Sequence, residues 1–243
     1  MTKKQYLINE ETFQEWEINT RKLRTLISCM LVAIPQLRIK FKDEVKIWKI
    51  TPRINRKSHT TFRNTIYYSS RQRAIENQDL FFKVLCHEFI HLLQRKAFGG
   101  FFHFIRYTDP QVTSMIVPAI FGTAMIVGGD TVTGLLFYGL TLFLIAPWQS
   151  QSRAEMECEA YTMNLAIEQW KYGEIRQKKK DEVIKSLTSP LYYFMIWNKS
   201  TAEKLVDKMV ESVQDCQKNK PDCFKISKAF NIVFNIIEEE KNK

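Results

Sequence analysis

Residues 111–152 form a run of 42 with a single charged side chain, Asp130. A stretch that apolar must be covered, and Gly128-Gly129-Asp130 divides it into two halves, so it reads as a helical hairpin. The halves, 112–127 and 131–148, have 16 and 18 residues. At about 1.5 Å per residue each barely reaches across a hydrocarbon layer of about 30 Å. Pro118, Gly122, Thr113 and Thr123 weaken the first half further. The hairpin is therefore expected either buried in protein or lying in a bilayer. Were it to span, Arg106 and Arg153 at its two ends would keep both flanking helices on the cytoplasmic side.

Around this run the composition is that of a folded chain. Of 243 residues 45% are hydrophobic, and 8 Gly with 7 Pro exclude a collagen-like fibre or a disordered tail. The net charge of +10 is uneven: residues 1–110 hold 20 basic and 10 acidic side chains, whereas 111–243 hold 16 of each. Within 38–73 there are 11 Lys or Arg and two acids, Asp43 and Glu44, a density suited to an anionic partner such as phosphate, anionic lipid or an acidic protein. The opening MTKKQYLINEETFQEW lacks the apolar core of a signal peptide, which predicts a cytoplasmic chain with reduced thiols. Cys29, Cys86 and Cys158 fall in apolar-periodic segments. Cys216 and Cys223 are spaced to meet across a turn, but a reducing compartment disfavours that disulfide.

Along the chain, Asn9 opens a helix that Pro35 stops. Leu37, Ile39 and Phe41 alternate with Arg38, Lys40 and Lys42, and with 45–51 predict an antiparallel β-hairpin. Residues 64–70 form a third strand, followed by a long helix from Asn77 or Asp79 to Gly99-Gly100. Beyond the hairpin come helices over 152–170, after Ser189-Pro190, from a capping box at Ser200 and Glu203, and over 222–239. Lys178-Lys179-Lys180 is expected in an interhelical loop and His59 on the surface. The whole reads as one α+β, helix-rich domain over 1–243, with the hairpin inserted at 111–150 and C-terminal helices over 175–243.

The chemistry is concentrated in His87-Glu88-Phe89-Ile90-His91, the HExxH pattern. On a helix, residues four apart stand one above the other, so His87 and His91 can reach one tetrahedral zinc. Glu88 lies about 100° further round, within reach of a water at that metal. Phe81, Leu85, Phe89 and Leu92 form the opposite, core-facing stripe. A catalytic zinc needs a third protein ligand. The position used in HExxHxxGxxH is Ala97, which excludes that arrangement. His103 is one remaining candidate, and HLLQRKAFG with His103 resembles Spartan-type proteases. The other is the acidic cluster Glu155, Glu157 and Glu159 on the helix after the hairpin.

Glu157-Cys-Glu159-Ala160-Tyr161 together with HExxH resembles the gluzincin metallopeptidases, in which a glutamate from a second helix completes the site. The resemblance covers about 90 residues, from the 64–70 strand to Tyr161, and implies a zincin-like fold with Glu157 as third ligand. Its departure is Tyr161, where such proteins commonly carry Asp or Asn hydrogen-bonded to a zinc histidine. It further implies zinc-dependent peptide hydrolysis with Glu88 as general base, and a substrate strand added to 64–70. Tyr161, Tyr107 and His103 are the candidates for a further oxyanion donor. Gln94 reads as part of the helix end, with no chemistry. In the membrane-bound members of this class a pair of hydrophobic helices also separates the two motifs. Two other functions fit the same residues. One is a structural component of a large assembly, for example a phage particle, joined through 111–150. The other is a nucleic-acid-associated protease of Spartan type using His103 and the basic 38–73 segment.

Overall fold

The computed structural model describes residues 20–49, 58–108, 111–144, 150–189, 195–196, 198–219, 224 and 226–242. It is helix-rich with one small sheet. In order the elements are α1 (Arg21–Ala33), β1 (Arg38–Phe41), α2 (Lys46–Lys49), β2 (Thr60–Phe62), β3 (Thr65–Tyr68), α3 (Arg71–Glu76), α4 (Gln78–Phe98), α5 (Gly100–Thr108), α6 (Gln111–Val127), α7 (Thr131–Leu144), α8 (Gln151–Tyr172), α9 (Gln177–Thr188), α10 (Lys199–Asn219) and α11 (Ser227–Lys241). Contacts divide them into two compact units: 1–97 with 159–176 and 210–243, and 98–158 with 177–209.

In the first unit the sheet order is β1-β3-β2, with β1 parallel and β2 antiparallel to β3. This corrects the expected antiparallel hairpin. Residues 46–49, read as the returning strand, are helical, and Ile39 and Phe41 instead register against Ile66 and Tyr68 of β3. Apolar alternation marks a strand but not its partner. β3 is therefore the central strand, so a substrate cannot add to it as expected. Strands β2 and β3 meet through the two-residue turn Arg63-Asn64, with Arg63 in the left-handed region at φ 54°. The turn is tied to α4 by Arg95 Nη1, which donates to Asn64 Oδ1 at 3.2 Å. The sheet's inner face, Ile39, Phe41, Ile66 and Tyr68, is buried, with Phe81 of α4 against Phe41 and Tyr68 at ring-centroid distances of 6.4 and 4.7 Å; Leu23, Ile27, Leu85 and Phe89 are buried as well. His59 is half-buried and not a fully solvated side chain. It stacks on Tyr68 at 4.3 Å and accepts the Ser69 N–H on Nδ1 at 3.3 Å, because β2 folds back over β3.

Helix α4 opens on Asn77, whose Oδ1 accepts the Leu80 N–H at 2.9 Å, and closes at Gly99, φ 79°. It lies antiparallel to α8. Lys171 pairs with Asp79 at 2.6 Å, Lys83 with Glu168 at 2.6 Å, and Gln94 Nε2 donates to Glu159 at 2.8 Å. Glu168 is 1% exposed and is also held by Arg176 at 2.7 Å, so this register is pinned by a buried, doubly paired carboxylate.

The second unit contains the apolar hairpin, α6 and α7. Their crossing is close because glycine faces glycine: a Cβ on Gly134 would stand 2.8 Å from the Gly122 carbonyl oxygen and 2.4 Å from Ile126 Cγ1. The turn satisfies its own backbone, with Gly128 N–H bonded to Ala124 O and Asp130 N–H to Met125 O, each at 2.9 Å. Away from this seam many of the described apolar side chains of both helices are open. Ile120, Phe121, Val127, Val132, Leu135 and Leu136 are all more than half exposed. No helix among the described residues is long and apolar enough to cross a membrane.

Three further expectations change. Lys178–Lys180 lie inside α9, where Gln177 with Asp181 (2.9 Å) and Lys179 with Glu182 (3.0 Å) supply neighbouring-turn pairs. Helix α10 is capped by Asn198, whose Oδ1 accepts the Ser200 N–H at 2.9 Å, and not by Ser200. Cys216 is disulfide-bonded, while Cys29, Cys86 and Cys158 are in no disulfide; Cys223 lies outside the described residues, as do 9–19 of the first predicted helix.

Candidate metal centre

Helix α4 presents His87 and His91 on one face, one turn apart. Their Nε2 atoms are 3.3 Å from each other. Two nitrogens bound at about 2.05 Å to one tetrahedral ion stand about 3.3 Å apart, so this is the separation zinc demands. Glu157, in the first half of α8, adds a carboxylate oxygen. The ligand atoms of His87, His91 and Glu157 all lie within 4.8 Å of one another, and among the described residues this is the group able to hold a metal. His91 and Glu157 are buried and His87 is half-buried.

The other acidic candidates face elsewhere. Glu159 accepts from Gln94, and Glu155 is exposed beside Arg106 at 3.7 Å. His103, on α5, stacks on Tyr107 with ring centroids 6.0 Å apart. Tyr107 in turn donates its hydroxyl to Glu157 Oε1 at 2.6 Å. Arg153 fixes that tyrosine, donating from Nε to its backbone oxygen at 2.7 Å with the guanidinium 5.0 Å over its ring. Tyr161 packs edge-on against the His87 ring at 4.9 Å. Of the three oxyanion candidates, Tyr107 is thus engaged in orienting Glu157.

Glu88 is 6% exposed and accepts a hydrogen bond on Oε2 from the Thr61 hydroxyl of β2 at 2.5 Å. Nearby, Lys42 is 1% exposed, donates to Thr60 Oγ1 at 2.8 Å and lies 4.0 Å over the Trp48 ring. Burial pulls its ammonium down to about 8, and the Glu88 carboxylate partly opposes this. Burial likewise pulls His59 down to about 4, reinforced by the charges of Lys42, His87 and Arg73.

Four further residues surround the group. Gln94, read above as helix end, is 1% exposed and stands 2.9 Å from His91 Nδ1. Asn164 Nδ2 is 3.3 Å from His87 Nδ1. It lies seven residues after Glu157, two helical turns on, so the histidine's amide partner comes from a different turn than the Tyr161 position. Gln94 was findable, three residues after His91 and so on its face. Thr61 and Lys42 were not, since they reach the site through strand pairing. Comparison with known protein families, with curated proteins and with solved structures finds no match to this chain.

Proposed function

We propose that this chain is a zinc-dependent metallopeptidase of the gluzincin kind, with a zincin-like fold. The observation that carries the reading is the convergence of His87 Nε2, His91 Nε2 and the Glu157 carboxylate, with Glu88 the next residue on the same helix. Two neutral imidazoles and one carboxylate are the donor set of catalytic zinc and leave the ion a position for a reactant. When bound, zinc would supply Lewis acidity, lowering the pKa of a coordinated water towards about 7 and polarising the peptide carbonyl.

The remaining steps belong to the chain. Glu88 takes a proton from the attacking water and returns it to the leaving amine nitrogen. Thr61 holds Oε2 of that carboxylate, which leaves Oε1 for the proton. Tyr107 and Arg153 keep Glu157 turned to the metal. Replacing Glu88 by Gln keeps shape and removes the base. Glu88→Gln is expected to bind zinc as wild type does and to lose peptide cleavage by at least about 10²–10⁴-fold, measured on an unstructured protein substrate. Equal activity in the two proteins would overturn the mechanism.

A second reading concerns where the chain works, and the bare outer faces of α6 and α7 favour it. Apolar surface of this extent marks attachment, to a membrane or within a larger protein assembly. Co-flotation with lipid vesicles, or isolation only as a complex, supports it. A detergent-free monomer that stays in solution argues against it.

A further inference from the structure

The polar atoms around the two histidines form one continuous chain. Asn164 Nδ2 stands 3.3 Å from His87 Nδ1, His87 Nε2 stands 3.3 Å from His91 Nε2, His91 Nδ1 stands 2.9 Å from Gln94 Oε1, and Gln94 Nε2 stands 2.8 Å from Glu159 Oε2. Only one end of this chain has a fixed polarity. An ionised carboxylate can only accept, so Glu159 obliges Gln94 to present its NH₂ and therefore to turn its oxygen towards His91. An amide oxygen can only accept in turn, so His91 must carry its proton on Nδ1. Its Nε2 is then a lone pair aimed at the point shared with His87 and Glu157.

We infer that Gln94 and Glu159 are positioning residues whose task is to fix the tautomer of His91, so that this ligand is ready for a metal before any metal arrives. The inference rests on reading His91 as a metal ligand. It explains why a long polar side chain is 1% exposed in the middle of a helix pair, and why Glu159, two residues after the proposed ligand Glu157, faces away from the ligand group.

The test reads protons directly. Long-range ¹⁵N–¹H spectra of histidine-labelled, metal-stripped protein are recorded near pH 8, where an ordinary imidazole of pKa about 6.5 is neutral. His91 is expected as the Nδ1–H tautomer both before and after zinc is added. Gln94→Leu should give mixed His91 tautomers and zinc binding weaker by about 10–100-fold, measured by chelator competition. The exchange Q94E/E159Q restores both, because the carboxylate then accepts from His91 and the amide donates to it. A packing role predicts no such rescue. An Nε2–H tautomer of His91 in the wild-type protein overturns the inference even if zinc binds. A wild type that binds no zinc yet shows His91 as Nδ1–H supports the relay and overturns the metallopeptidase reading instead.

Discussion

His59 shows how far one residue can depart from its sequence setting. Flanked by Lys57-Ser58 and two threonines it reads as solvated, yet β2 stacks it on Tyr68 and leaves its Nδ1 accepting an N–H. Protonation would break that hydrogen bond and place a cation near Lys42 and Arg73. The folded pKa of about 4 lies below the ordinary 6.5, so between these values the unfolded chain binds more protons. Stability from this group is therefore full above pH 6.5, falls as pH drops towards about 4, and is flat below that. The loss is at most about 3 kcal/mol. Urea midpoints across the range should fall more steeply for wild type than for His59→Phe, which keeps the stack without the titration. Parallel curves would contradict this account. At this scale the proximity of His87, Glu88 and His91 was legible because helical spacing alone relates them. Thr61, Lys42 and Asn164 were not, since their positions depend on strand pairing and on the register of α4 against α8.

Elements were legible where the local pattern also determines the partner. The glycine turn at 128–130 specifies both helices of the hairpin, and Gly99 ends α4. Strand β1 had the right period but the wrong mate, because alternation says which side chains face the core and nothing about direction. Helix α6 runs through Pro118 despite the lost hydrogen bond, since packing against α7 compensates. That seam admits no side chain. Gly134→Ala places a methyl against the backbone of α6, so it should destabilise the hairpin by about 1–3 kcal/mol and raise amide hydrogen exchange over 111–144. Gly139→Ala, with open space at its Cβ, should do neither. Indistinguishable exchange in the two variants would show that the seam is not as close as described. Between α4 and α8, Lys83→Met removes one of two cations from buried Glu168 and is expected to cost about 3 kcal/mol in thermal or urea unfolding.

For the whole molecule, the apolar run and the HExxH motif give separable expectations. Exposed hairpin positions make few contacts, so Leu136→Lys should leave unfolding stability within about 0.5 kcal/mol of wild type while reducing vesicle binding or self-association. The proposed zinc ligation by His87, His91 and Glu157 is tested by elemental analysis of the purified wild type beside Glu157→Ala. About one zinc per chain in wild type, falling well below one in the variant, is the expected result. Wild type prepared without chelators and carrying no zinc, or a Glu157→Ala protein that keeps its full equivalent, would contradict it.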